Sequence, residues 1–304
     1  MYNETKIVNA APSVKSSDKT ARIVARVCVY VALIIYAIFV VAPFVTIIIT
    51  SFTPHIQLEA TIGFVWKPNP VTAEAYKSVF TKDTSLIFYG YSSIAKGFIN
   101  SLWQTCVPLI IGTLVSALAA YAYSKLNVPG KGKLFAIEIG TMMIPLGAFQ
   151  IVEMIFYSKL GWINTILPII VPGMFGSAAG IFFFRSFFDS LNNEIIEAAK
   201  IDGSGVVRNF FTILLPLSIP AFMAQFILGF VGGYNDYVKP MLYLTGSHNL
   251  MPIQLAIKNL QDAFKSNQEI QCAAAVIGML PLIVVFLACQ RFFLDGIAIG
   301  SGRD

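Results

Sequence analysis

Few side chains in this sequence could do chemistry, and their spacing suits contact better than catalysis. His55 and His248 stand alone, and Cys28, Cys106, Cys272 and Cys289 are too far apart for a CxxC or Cys/His metal cluster. Three of those thiols (Cys28, Cys106, Cys289) fall in or beside apolar runs, where cysteine behaves as a small hydrophobe. No metal site is expected. Gly130-Lys131-Gly132-Lys133 lacks the spacing and the hydroxyl residue of a phosphate loop. Neither a G-x-S-x-G elbow nor an H-E-x-x-H pair occurs. The chain therefore reads as no enzyme, with no catalytic residues of its own.

What remains is a set of polar groups inside apolar runs. Glu138, Glu153 and Asp236 are ionisable residues at such positions, and an intramembrane charge invites a functional reading. Depth tempers it. At about 1.5 Å per residue, Glu138 lies roughly 6 Å into its run, and Glu153 and Asp236 roughly 27–28 Å along theirs. None sits at a midplane, so interfacial solvation and pathway lining both stay open. Gln150, Tyr234, Asn235 and Asp236 are candidates to line a path for a hydroxylated solute. Phe182-Phe183-Phe184 could contact substrate, but lipid or core contact is the favoured reading. Gly176-x-x-x-Gly180 and Gly229-x-x-x-Gly233 read as tight helix packing.

The elements that must carry these groups follow from composition. Of 304 residues, 56% are hydrophobic and 12% charged, about half the charge of a soluble domain, and mean hydropathy is +0.72. This is an all-α, polytopic membrane protein by class. A net charge of +5 without a basic block leaves no nucleic-acid footprint. Residues 1–20 form a polar tail, and 21–304 a single membrane domain. Uncharged or nearly uncharged runs predict six spans, over 27–52, 98–124, 134–157, 162–184, 217–237 and 270–290. The first is too long for a signal peptide, and Pro43 is expected to kink it. Six spans put both termini on one side. That side, taken as cytoplasmic, carries 13 of the 21 Lys and Arg residues, and the short Lys125–Lys133 loop is its best witness.

One polar segment on the same side, residues 185–216, has its own logic. Glu194 and Glu197 suit the first turns of a helix, Ala198 and Ala199 are strong helix formers, and Gly203 can end it in a left-handed conformation. Asn192 can cap its start. The spacing is also specific. Glu197-Ala198-Ala199, three residues, Gly203, nine residues, then Ile213-x-Leu215-Pro216 matches at every fixed position the EAA signature of ABC importer permeases, which this chain resembles.

Further stretches resemble the carbohydrate, MalG-like branch. They are Phe64-Val65-Trp66-Lys67-Pro68 with Thr72-Ala73-Glu74-Ala75-Tyr76, Tyr234-Asn235-Asp236-Tyr237 before Pro240, and Gln290-Arg291-Phe292-Phe293 with Gly296 and Gly300. Two departures are Asn192, where the family usually has proline, and the ending Gly302-Arg303-Asp304. The resemblance implies a type I importer permease fold with a cytoplasmic coupling helix, in a prokaryotic plasma membrane. Glu194, Glu197, Ala198, Ala199, Asp202, Gly203, Ile213, Leu215 and Pro216 would then couple to an ATPase, with Arg303 as a tail contact. It also implies a second homologous permease, two ATP-binding subunits that hold ATP and Mg, and an external binding protein delivering a sugar. The chain itself would carry no cofactor. A non-sugar solute is the alternative within the family. A stand-alone ion-coupled transporter would want a midplane carboxylate and inverted-repeat helix breaks, neither visible in the sequence.

Overall fold

The computed structural model describes residues 17–80 and 94–300, and every regular element among them is helical. In chain order the helices are α1 (Ser17–Ser51), α2 (His55–Ala60), α3 (Glu74–Phe80), α4 (Ile94–Lys125), α5 (Lys131–Thr141), α6 (Gln150–Lys159), α7 (Leu167–Met174) and α8 (Ala178–Ser190). There follow α9 (Glu194–Ile201), α10 (Val206–Asn209), α11 (Leu215–Leu217), α12 (Ile219–Tyr234), α13 (Val238–Tyr243), α14 (Ile253–Ala263) and α15 (Gln268–Gly300). A π-turn, Phe210–Leu214, joins α10 to α11.

Four stretches are long and apolar enough to cross a bilayer: Ala21–Ser51, Lys96–Lys125, Leu167–Ser190 and Gln268–Gln290. A fifth is the pair Val206–Leu217 and Ile219–Tyr234, bent by 75° at Ser218. Six straight spans are therefore not what the described residues form. The expected third span, 134–157, is broken between α5 and α6. Pro145 lacks an N–H and disfavours helix in the residue before it, and a 3₁₀ turn, Leu146–Phe149, fills the gap.

The fourth span is displaced. Its first residues, 162–166, are a loop in which Asn164 adopts φ 64°. Asn164 Oδ1 accepts from the Gly246 N–H at 2.6 Å, and its own N–H reaches the Tyr243 carbonyl at 2.7 Å. Those partners lie some eighty residues away, so local sequence could not announce them. At its far end α8 continues to Ser190, which shortens the polar loop expected from 185. Pro43 and Pro108 are carried inside continuous helices. The tail expected from Arg291 is helical as far as Gly300. Residue 17 already opens α1, while the rest of the expected N-terminal tail lies outside the described residues.

Helix α4 is the axis of the bundle. Both glycine pairs pack against it as expected. A Cβ at Gly176 or Gly180 would meet Ser116 Oγ, one at Gly229 would overlap Leu109, and one at Gly233 would meet Thr105. Small residues let backbones approach this closely where lipid supplies no hydrophobic drive. Two cores result. One gathers α3, α4, α12, α14 and α15 around Phe230, Tyr234 and Ile253; the other gathers α4, α8 and α9 with the π-turn around Phe184, Phe188 and Phe210. By contrast, residues 21–45 of α1 are exposed throughout and only its end, from Thr46, is partly covered, so lipid or another chain must cover the rest.

The loop after α1 is pinned to the bundle by a charge contact. His55 Nδ1 lies 3.2 Å from Glu269 Oε2 at the start of α15, and its Nε2 lies 3.1 Å from Glu59 Oε1. The bond to Glu269 raises the His55 pKa above its usual 6.5. A group raised on folding stabilises fully below the unfolded value and loses that contribution as pH climbs through the folded one. Proteolysis of the 53–73 loop is therefore expected to accelerate as pH rises from 6 towards 8 in the wild type. In His55→Gln it should be equally fast throughout. A wild-type rate independent of pH would remove this role.

Candidate functional site

The signature segment folds as one seated unit. Asn192 Oδ1 accepts from the Glu194 N–H at 3.0 Å, while its Nδ2 donates to Glu194 Oε2 at 3.0 Å. Asn192 thus caps the helix from one position ahead of the formal cap, Asn193, whose own side chain makes no capping bond. At the other end Gly203 has φ 80°. The Ser204 N–H bonds to the Ala199 carbonyl at 2.9 Å and the Gly203 N–H to that of Lys200 at 3.1 Å, which is the Schellman arrangement. Both ends of α9 are thereby fixed without borrowing from any other helix.

Its two faces differ. Ile196 is buried among Phe184, Phe188 and Phe210, and Ala199 is half-buried. Glu194, Glu197, Ala198 and Ile201, at i, i+3, i+4 and i+7, share the outward face, and Asp202 and Gly203 are exposed beside it. Ile201 is 87% exposed and Val207 68%. This is a small, smooth face with acidic flanks and an apolar tip. Such a surface suits insertion into a groove.

Helix α4 holds this unit from beneath. Lys125 Nζ donates to the Leu191 carbonyl at 2.8 Å and to Asn193 Oδ1 at 2.6 Å. These residues form the corner between α8 and α9. Tyr121 OH donates to the Val206 carbonyl at 3.4 Å. Sequence reading gave neither residue this role. The later half of the signature sits at the bend. Ile213 lies in the π-turn, and Leu215 and Pro216 lie in α11 just before Ser218. Pro216 and Pro220 each lack an N–H, and proline and π-turns are the usual causes of sharp kinks. At the bend Ser218 Oγ donates to the Leu214 carbonyl at 2.6 Å, which also accepts from the Ser218 N–H at 3.0 Å.

The candidate pathway residues are scattered. Gln150 opens α6, and the Asn235 side chain bonds to the Val231 carbonyl and to Gln254. Tyr234 is buried in the first core with its hydroxyl unpartnered. Of these four, Asp236 alone borders a cavity of about 300 Å³ between α4, α7, α12 and α13. Its Oδ1 accepts from the Val238 and Lys239 N–H groups at 3.1 and 3.3 Å. Glu153 accepts from Tyr243 OH at 3.0 Å, a tertiary bond the sequence did not signal. Among the described residues no cluster of His, Cys, Asp and Glu could hold a metal. Arg303 lies outside them.

Residues 10–298 match the family described as the inner membrane component of binding-protein-dependent transport systems. The chain belongs to this permease family. Among the permease's relatives is the osmoprotective compounds uptake permease GgtD of Synechocystis, 25% identical and aligned over 99% of this chain and 100% of that one. The arabinooligosaccharide transport permease AraQ of Halalkalibacterium halodurans is 27% identical, over 87% and 92% respectively. The trehalose/maltose transport permease MalG of Thermococcus litoralis is also 27% identical, over 91% and 96%. A solved bacterial ABC transporter that imports the acidic polysaccharide alginate shares the fold. Its chain superposes on the permease with a TM-score of 0.75 at 22% identity, covering 93% of this chain and all of that one.

Proposed function

We propose that this permease forms half of the translocation pathway of an ATP-driven, binding-protein-dependent importer for a sugar or oligosaccharide. The observation that carries the reading is α9. It is a helix capped at both ends, seated on α4, with a smooth outward face at the position the family signature assigns. Closure of an ATPase dimer can be transmitted only by an element that does not deform, and a Schellman-capped helix fixed to the bundle by Lys125 meets that need. Glu194 and Glu197 offer charge-assisted contacts, and Ile201 and Val207 an apolar anchor.

In this reading α5 and α6 together make a sixth, broken span, both termini are cytoplasmic, and α9 is the coupling helix. Arg303 adds a tail contact to the ATPase. The partners are a second homologous permease, two ATP-binding subunits carrying ATP and Mg, and an external binding protein. The solute class rests on the names of the arabinooligosaccharide and trehalose/maltose relatives. The test is uptake by the assembled complex in proteoliposomes containing the cognate binding protein, with trehalose, lactose and arabinotriose as probes. ATP-dependent accumulation of at least one is expected. Accumulation that follows a proton or sodium gradient and ignores ATP would overturn the reading.

A further inference from the structure

The cavity beside α4 presents more unused hydrogen-bonding groups than packing requires. Gln104 is 4% exposed; its Nε2 donates to the Leu250 carbonyl at 2.7 Å, while its Oε1 has no partner. Thr105 and Thr113 are buried, 7% and 8% exposed, and their hydroxyls engage none of the described residues. Gln225, opposite on α12, likewise leaves its amide free towards the same space. A threonine within a helix ordinarily satisfies itself on the carbonyl three or four residues back, and a buried polar atom without a partner costs about 1–3 kcal/mol. Gln104 Oε1 is such an atom, and the Thr105 and Thr113 hydroxyls and the half-buried Gln225 amide line the same cavity without a partner among the described residues.

Depth sharpens the point. At about 1.5 Å per residue, Thr113 lies roughly 25 Å from Lys96 and 18 Å from Lys125, so the cavity reaches the middle of the span. Its charge is balanced, with Asp236 and Lys239 both at the border near α13, and Asp236 is already engaged by backbone N–H groups. Neither an anion nor a cation finds an excess of opposite charge. Hydroxyls and amides that can each donate or accept match a neutral polyol, whose own hydroxyls do the same. A volume of about 300 Å³ would hold roughly ten waters at about 30 Å³ each, room enough for one sugar ring.

We propose that this chain itself binds one ring of a neutral, polyhydroxylated solute during transport, in the cavity between α4, α7 and α12, with Gln104, Thr105, Thr113 and Gln225 as its hydrogen-bonding partners. The proposal rests on the importer reading above. In the assembled complex, Thr113→Val removes a hydroxyl that holds nothing in the protein and keeps the shape. With whichever probe of trehalose, lactose or arabinotriose the wild type accumulates, the maximal uptake rate of this variant is expected to fall at least tenfold. The KM should stay within twofold, because the binding protein sets it, and Thr113→Ser should restore the rate. Uptake within twofold of wild type in Thr113→Val overturns the cavity and leaves the importer reading standing. Equal losses in the Val and Ser variants, or parallel loss of membrane abundance, would show packing and overturn it too. Failure of the wild type to accumulate any probe with ATP would fall on the importer reading.

Discussion

Replacing Gly203 by proline is expected to cut ATP-driven uptake more than tenfold while the permease remains inserted in the membrane. The backbone at this position has φ 80°, whereas proline is locked near −65°. Proline also lacks the N–H that bonds to the Lys200 carbonyl at 3.1 Å. Both closures of the Schellman turn fail together, the second because Ser204 can no longer reach Ala199. The segment from 203 to 209 would have to leave its path, taking Val206 and Val207 with it. Nothing within 4 Å surrounds the Gly203 Cβ position, so Gly203→Ala meets only the left-handed backbone cost of about 1–2 kcal/mol. That variant should keep most of the uptake. Glu197→Lys, which leaves the turn intact and reverses charge on the outward face, should lose uptake through weaker ATPase binding. Full uptake by the proline variant would sink the coupling role of α9. The measurements are ATP-driven accumulation, co-purification of the ATPase and abundance of the chain in membranes.

That much of α9 could be read in advance has a physical reason. Its start, its stop and its two faces are set within twelve residues: Asn192 reaches Glu194, Gly203 turns back on Lys200, and the exposed positions repeat at three and four. Local rules suffice for local bonds. The long apolar runs of α1, α4 and α15 were legible for the same reason, since length and lack of charge are enough. What escaped depends on distant partners. The break near Pro145 could have been suspected from the proline, yet Pro43 and Pro108 sit in unbroken helices, so proline alone does not decide. Helix α14 was readable in principle from Ile253, Ala256, Ile257 and Leu260, an apolar stripe at helical spacing, but the polar residues around it hid the pattern. The roles of Lys125 and Tyr121 had no signal, because their acceptors lie 66 or more residues onward. The cavity is the extreme case. Gln104, Thr113 and Gln225 come together only because α4 and α12 cross.

The packing of α7 on α4 makes the second large prediction one about folding. A Cβ at Gly112 would fall on the backbone carbonyl oxygen of Gly173. Main-chain atoms cannot swing aside, so α4 and α7 would have to separate along their whole contact, and Pro108 against Gly173 would part with them. Overpacking typically costs about 1–3 kcal/mol and occasionally more, a large share of a total stability of about 5–15 kcal/mol. Gly112→Ala is therefore expected to lower the unfolding temperature in detergent by many degrees, and Gly112→Val to leave little folded protein. Gly229 is the instructive contrast. Its Cβ would also be too close, but to Leu109 Cδ1, the far end of a flexible side chain that can change rotamer. Gly229→Ala should cost only about 1 kcal/mol, within the range of tolerated core changes. The ordering of the two alanine variants, measured by thermal unfolding and size-exclusion of the purified chain, tests whether backbone contact holds α4 to α7. If Gly229→Ala proved the more damaging, the bundle would be held at α12 instead, and the cavity between the helices would lose the rigid wall that gives it its shape.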